Sequence, residues 1–350
     1  MIIRIASWDD GQNWDSVVDN CSKSTYSHTW GWKELLRKEL NVENLSLVAK
    51  DNGKIIGIYT AFITHSIKRK YIYKLINYDI ILSSPYELTW DYGGPCLLDK
   101  FETDDLKKEL ILKMEDVAKE KNAISIKISP FDDEQLKTIL VQNGYRISPR
   151  LTSIIDLKPD IENLISGFKS DVKKGIKRSE RDGVVVIEVQ ASGLKDAYNC
   201  LSTLHNSLDV YLPPFNFFNA LYDTFLPKKM VKFFVAYLGD KPIASSVCLY
   251  FNKICTERYR GSNPEYRKLY PDNALVWNSI IDAKKNGCEI FDFGGLPSDE
   301  NNGIYLYKVR WGGTTKKIDW YIKDLKFNRL RKMYRSIKKK IANLNIIINQ

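Results

Sequence analysis

The chain is poor in the residues that metal centres and disulfide frameworks need. Its 350 residues include three histidines, and its six cysteines (Cys21, Cys96, Cys200, Cys248, Cys255, Cys288) are scattered without a C-x-x-C pair. That composition excludes a zinc site of ordinary spacing and a disulfide scaffold. His28, His65 and His205 have no Ser or Cys motif beside them, so no nucleophilic triad is written here. The G-x-S-x-G elbow and the G-x-x-x-x-G-K-[ST] loop are both missing, which argues against an α/β-hydrolase and a P-loop ATPase. No apolar run approaches the ~18 residues of a membrane-spanning helix, and MIIRIASWDDGQNWD carries acids where a signal peptide would be apolar. A cytoplasmic protein is expected. With 44% apolar and 27% charged residues the chain is globular, and at ~150 residues per domain it suggests two cores.

The positive charge is concentrated at one end. Of the formal +10, residues 325–350 supply eight Lys or Arg and no acid, leaving 45 basic against 43 acidic residues elsewhere. Phe327, Leu330, Tyr334, Ile337, Ile341, Leu344 and Ile348 recur there at three- and four-residue steps, which predicts a basic amphipathic helix. Such a helix packs back on the protein, on the first domain for instance, lies on an anionic membrane face, or contacts tRNA phosphates.

The body of the chain repeats itself. LSLVAKDNGKIIGIYTAFI (45–63) reads as a hairpin turning at Asn52-Gly53, and KFFVAYLGDKPIASSVCLYF (232–251) restates it. Each is followed by an apolar segment, a polar or glycine turn (Asp91 to Pro95; Arg258 to Ser262), a helix and another strand. Asp104 and Asp272 are the expected helix N-caps, and Gly144 and Gly287 the expected helix stops. The predicted boundaries are 1–150, 151–324 and the tail 325–350.

The order hairpin, central strand, helix, strand, then a helix ending in N-G-Y before the last strand resembles the acyltransferase fold of the GNAT superfamily. Five stretches of the second half are similar to the FemABX peptidyltransferase family: Tyr259-Arg260-Gly261-Ser262, Pro271 to Trp277, Ala283 to Gly287, Phe291-Asp292-Phe293-Gly294-Gly295 and Leu306-Tyr307-Lys308 with Trp311-Gly312-Gly313. KSDVKKGIKRSERDGVVVIE (169–188) resembles the basic helix that opens that family's second domain, and YSHTWGWKELL (26–36) its N-terminal aromatic motif. The resemblance implies an α/β (α+β) chain of two tandem GNAT-like domains, here without the long coiled-coil insertion. It also implies transfer of an aminoacyl group from aminoacyl-tRNA to an amine of a nucleotide- or lipid-linked peptidoglycan precursor, with no bound cofactor. Where ordinary GNAT enzymes place a glycine-rich loop for the coenzyme A pyrophosphate, this chain has YRKLYPDNA (266–274).

Aminoacyl transfer needs a deprotonated amine, a stabilised oxyanion and a protonated leaving hydroxyl. Lys308, between aromatic residues and a double glycine that lets backbone approach a ligand, is the first candidate for the cation; the plainer reading is a surface lysine on a strand. Tyr259 and Asp292 follow as catalytic candidates, Asp292 equally as a bond to the Gly-Gly turn that follows it. Lys173, Lys174, Lys177 and Arg178 share helix faces that suit a pyrophosphate, and Lys33, Arg37 and Arg260 are further candidates for binding the substrate. Asp91, Tyr92 and Asp99 flank the Gly-Pro turn that the resemblance places at the acceptor. Two readings stand beside the aminoacyltransferase: an acyl-CoA- or acyl-carrier-dependent N-acyltransferase on an amino sugar of surface polysaccharide, and a non-enzymatic phosphate-binding module.

Overall fold

The computed structural model describes residues 1–65, 79–82 and 92–325. Asp91 and the basic tail from Lys326 onward lie outside the described residues.

Each half builds a mixed sheet with helices packed on it, and the sheet of the first half is completed by a strand from the second. In the second half seven strands lie side by side in the order Val184–Glu188, Val231–Leu238, Lys241–Phe251, Ile254–Ser262, Ile290–Leu296, Leu151–Asp156, Thr314–Lys317. In the first half Ile2–Ile5, Leu47–Asp51, Lys54–Tyr59 and Pro95–Leu97 form one sheet. A second takes the order Glu43–Asn44, Phe62–His65, Asp79–Leu82, Ser125–Ile128, Trp320–Asp324, Arg146–Ser148. Leu151–Asp156, the first strand of the second half, lies between Ile290–Leu296 and Thr314–Lys317. Trp320–Asp324 leaves the second and slots between Ser125–Ile128 and Arg146–Ser148. The expected second unit of 151–324 is corrected on this point, because its last strand belongs to the first unit's sheet. Without the visiting strand, two strands there would be left with open edges.

The local reasons for these elements are legible. Asn52 and Gly53 both take positive φ at the first hairpin turn, as an Asn-Gly turn requires. The helix Asp104–Glu120 is capped by Thr103, whose side chain accepts from Leu106 N, so Asp104 is the first helical residue and not the cap. Likewise Pro271–Lys285 begins after Tyr270 in a left-handed conformation, with Asp272 inside its first turn. Leu110, Ile111 and Met114 of the first helix bury against Ile126 and Ile128, and Leu275, Val276 and Ile280 of the second against Phe291 and Phe293. A third core joins the halves: Trp32, Leu35 and Leu36 of helix Trp30–Leu40 pack with Phe217, Leu221 and Phe225 of helix Phe215–Phe225.

Candidate active site

The site opens where two parallel strands stop pairing. Ile254–Ser262 runs beside Ile290–Leu296 only through Ile254↔Ile290, Cys255↔Phe291 and Thr256↔Asp292. Beyond that pair each strand bulges: Arg258 is the extra residue against Lys241–Phe251, and the Phe293-Gly294 stretch is irregular against Leu151–Asp156. Bulges bend strands and re-aim side chains. A cavity of about 960 Å³ occupies the gap, lined on one side by Thr256 to Arg260 and on the other by Phe293, Gly294 and Gly295.

Lys308 closes the inner end. It sits on the helix Gly303–Val309, not on a strand, and its ammonium donates to Phe293 O at 2.6 Å and Gly295 O at 2.9 Å. Phe293 lies in the irregular stretch and Gly295 at its far edge, opposite Thr152. Two of the three ammonium protons are thereby used, and the third is left for the cavity. Burial, with help from the Arg260 charge, pushes Lys308 down to about 8, so it is mostly protonated at neutral pH.

Asp292 builds the seat that Lys308 uses. Its Oδ1 accepts from Thr152 Oγ1 at 2.5 Å and from Gly294 N at 2.8 Å, and Tyr92 OH reaches Oδ2 at 3.4 Å. Gly294 has φ +67, a conformation for which glycine is suited. Burial raises the Asp292 pKa, while these donors oppose the rise. Its oxygens face the turn and Tyr92, and it does not line the cavity. The expected bond to the Gly-Gly turn is thus present. Tyr92 is buried, stacked edge-on against Phe131 at 4.8 Å, and supports the same seat.

Arg260, Glu257 and Asp272 form the charged wall. Arg260 Nη1 is 3.5 Å from Glu257 Oε2 and its Nε 3.6 Å from Asp272 Oδ1, and its guanidinium lies over the Tyr307 ring at 4.5 Å. Burial works against the Arg260 charge, but Glu257, Tyr307 and Asp272 together outweigh it and raise the Arg260 pKa. Tyr259 lines the cavity with its ring edge-on to Phe218 at 5.1 Å. Lys174, Arg258, Arg267 and Arg310 add positive charge to the lining.

Several expected positions lie elsewhere. Lys33 is buried in an aromatic cage, its ammonium 3.1 Å from the Trp30 ring centroid and 4.6 Å from Trp14, and burial pushes it down to about 7. Helix Trp30–Leu40 turns it inward, while Trp32 and Leu36 face the cavity. Arg37 is held by Glu34 at 2.8 Å, and Asp99 accepts from Ser22 N and Oγ at a loop corner. On the basic helix Ser170–Arg181, Lys173 bonds Ser166 O and Arg178 pairs with Asp182. Neither of them, nor Lys177, lines the cavity, whereas Lys174 does. The double glycine after Trp311 also serves packing: a Cβ at Gly312 would stand 2.6 Å from Gly167 O, and one at Gly313 2.7 Å from Ile154 O. Glu257, Arg258, Arg267 and Arg310 were not singled out from the sequence. For the first two the signal was E-R-Y-R inside an otherwise apolar strand.

The N-terminus of helix Pro271–Lys285 is occupied by the protein's own groups. Pro271 has no N–H, the N–H groups of Asn273 and Ala274 turn back to Tyr270 O, and the Asp272 carboxylate accepts from Ser262 Oγ at 2.9 Å. A helix N-terminus ordinarily welcomes a phosphate; here an acid stands in its place.

Residues 166–309 match the family model described as acetyltransferase (GNAT) domain. No curated protein matches the chain by sequence. Among solved structures, FemX superposes with a TM-score of 0.68 at 14% identity, covering 96% of this chain and 100% of that one. A C-terminal domain assigned to lysylphosphatidylglycerol synthetase from Agrobacterium fabrum gives 0.58 at 12% identity, over 90% and 92% of the two chains. A tandem GNAT protein from the clavulanic acid biosynthesis pathway gives 0.57 at 8%, over 92% and 98%. The tandem GNAT-like fold expected from the sequence is borne out, and the second half carries a GNAT-type acyltransferase domain.

Proposed function

We propose that the chain is an aminoacyltransferase that moves an amino acid from aminoacyl-tRNA to an amine of a nucleotide- or lipid-linked peptidoglycan precursor. The observation that carries this reading is Lys308: a cation seated on two backbone carbonyls, with one proton unspent, at the inner end of a cavity where two strands part. The acceptor amine attacks the ester carbonyl, a tetrahedral oxyanion forms, and the C–O bond to the ribose breaks. Lys308 faces the developing negative charge and supplies a proton to the departing ribose oxygen; a group of this kind contributes ~10²–10⁴-fold. Tyr259 and the Phe217 wall exclude water from the centre. No covalent intermediate on the protein is needed.

The choice of tRNA over coenzyme A is supported by Asp272, whose carboxylate stands where a pyrophosphate would seek the helix N-terminus. The likeness to FemX and to the lysylphosphatidylglycerol synthetase domain supports an aminoacyl donor and a cell-wall or lipid acceptor. The basic lining, Lys174, Arg258, Arg267 and Arg310, suits phosphates of either substrate, and the tail 325–350 is proposed to add contact with tRNA or the membrane face. No helix among the described residues is long and apolar enough to cross a membrane. The acetyltransferase description of the matched family favours a second reading, acyl-CoA-dependent acylation of an amino sugar.

One experiment separates them. Labelled aminoacyl-tRNAs and labelled acyl-CoAs are offered in parallel with UDP-linked muramyl pentapeptide, lipid-linked precursor and amino sugars. Transfer from tRNA supports the proposal, and transfer confined to acyl-CoA overturns it.

A further inference from the structure

We propose that Cys21 and Cys96 form a redox-modification site, at which a small disulfide converts the two thiols into a Cys21–Cys96 cross-link and releases Tyr92 from Asp292. The pair lies in the first unit, outside the cavity lining. Cys21 follows helix Gly11–Asp19, and Cys96 stands in the middle of strand Pro95–Leu97. Both belong to one buried cluster with Trp14, Val17, Val48 and Ile58, at 4% and 3% exposure. The Cys96 thiol donates to the Cys21 sulfur, and the N–H groups of Lys23 and Leu97 serve the same sulfur.

The two thiols are unequal, as exchange with a disulfide requires. The Cys96 thiol, with those two N–H groups, lowers the Cys21 pKa against burial and the Asp99 charge. Burial raises the Cys96 pKa, and Cys21 adds to the rise. A stabilised thiolate is the attacking group in thiol–disulfide exchange. Cys21 is also the one that can be reached, since Asn20 and Ser22 beside it are exposed, whereas Pro95 and Leu97 beside Cys96 are buried. The Cys21 thiolate attacks R–S–S–R, forms a mixed disulfide and expels one thiolate; the Cys96 sulfur then attacks the Cys21 sulfur and expels the second. The two protein thiols lose two electrons and two protons, and both go to the two R–SH formed. Cys248 and Cys255 are also in hydrogen-bonding contact, but each is 0% exposed on an interior strand of the seven-stranded sheet.

The consequence follows from where the two segments lead. Residues 21–27 and 92–96 are tied at both ends, by the thiol pair at one and by Ser27 Oγ, which donates to Tyr92 O at 2.6 Å, at the other. Bonded sulfurs stand ~2.05 Å apart, well inside hydrogen-bonding contact, so oxidation draws the segments together. The shift is taken up at the weakest tie, and Tyr92 OH reaches Asp292 Oδ2 at only 3.4 Å. Asp292, which holds Gly294 N at 2.8 Å in the turn under Lys308, then loses one of its donors.

The test treats the folded full chain with oxidised glutathione and uses two readouts that need no substrate. Peptide mass spectrometry, after alkylation of the remaining thiols in denaturant, is expected to show a Cys21–Cys96 cross-link that dithiothreitol reverses, with Cys248 and Cys255 alkylated. Hydrogen exchange at the Gly294 amide should rise ~5-fold in the oxidised protein, the equivalent of one weak hydrogen bond. Cys96→Ser should stop at glutathione on Cys21 and leave that exchange unchanged, and Cys21→Ser should take up no glutathione at Cys96. Both thiols staying alkylatable, glutathione held on Cys21 of the unmodified protein without a cross-link, or a Cys248–Cys255 cross-link forming as fast overturns the site. A Cys21–Cys96 cross-link with unchanged exchange at Gly294 overturns the release of Tyr92. None of these outcomes depends on which acyl group the protein transfers.

Discussion

Replacing Lys308 by methionine separates chemistry from stability. Lys308 is displaced from 10.5 to about 8, which corresponds to ~3 kcal/mol against the charged form in the folded protein. Methionine removes that penalty. It also strips Phe293 O and Gly295 O of their donor, at ~1–3 kcal/mol for each buried carbonyl. The two effects oppose each other at similar size, so the thermal midpoint at pH 7 should move little. Activity has no such compensation, since loss of one preorganised donor to an oxyanion costs ~10²–10³ in rate. The lysine pKa is depressed in the folded state, so stability relative to Lys308→Met should rise with pH from about 8 towards 10.5, where the unfolded chain holds the extra proton. The kcat/KM profile should fall as pH rises through about 8, and Lys308→Arg, which does not deprotonate there, should lose that limb. The assay is label transfer in single turnover beside differential scanning calorimetry. A Met variant with near-normal rate, or an Arg variant retaining the alkaline limb, refutes the assignment.

Asp292→Ala should slow transfer by on the order of 10²-fold through loss of the Lys308 seat, while Asp292→Asn, whose amide oxygen still accepts from Thr152 and Gly294, should retain most activity; a catalytic base would lose it in both, and steady-state kinetics distinguishes the cases. Lys33→Met should leave transfer unchanged and raise unfolding free energy by ~3 kcal/mol at pH 6, the burial penalty less the ~2 kcal/mol of a buried cation–π contact; that gain should shrink as pH rises above about 7, and a loss of activity would return Lys33 to the substrate site. Residues 1–150 expressed alone should fail to give a cooperative melt by circular dichroism, because that fragment lacks the Trp320–Asp324 strand that lies between Ser125–Ile128 and Arg146–Ser148; a cooperative melt from it refutes this.

How much of this was legible in the sequence follows the range of the interactions involved. Local signals read truly: Asn52-Gly53 turned a hairpin, Gly144 and Gly287 ended helices with positive φ, and the order of elements gave the tandem fold. Lys308 and Arg260 were found because their motifs are compact. Face assignment failed where one turn of helix decides it. On Trp30–Leu40 the aromatic flank took Lys33 into the core, and of the basic residues on Ser170–Arg181 Lys174 lines the cavity while Lys173, Lys177 and Arg178 do not. The strand crossing carried no local signal, since Trp320–Asp324 is an ordinary strand whose partners lie more than a hundred residues away. Glu257 stood out only in three dimensions, where one of its oxygens is buried without a hydrogen-bond partner.

The crossing strand also explains how one cavity can depend on two units. Trp32, Leu36 and Leu40 of the first unit face Leu204, Leu208 and Phe217 of the second across the same space, and a hinge between the units would change its width. The second unit instead places Trp320–Asp324 in the interior of the first unit's sheet, hydrogen-bonded on both sides. Separating the halves would break two strand pairings at once, which is far costlier than opening an interface of side chains alone. The apolar wall and the Lys308 seat are therefore held in fixed register. Selectivity for the transferred group should then reside in side-chain size along Trp32, Leu36 and Phe217, so that Leu36→Ala alters which aminoacyl group is accepted while leaving the pH limb set by Lys308 in place.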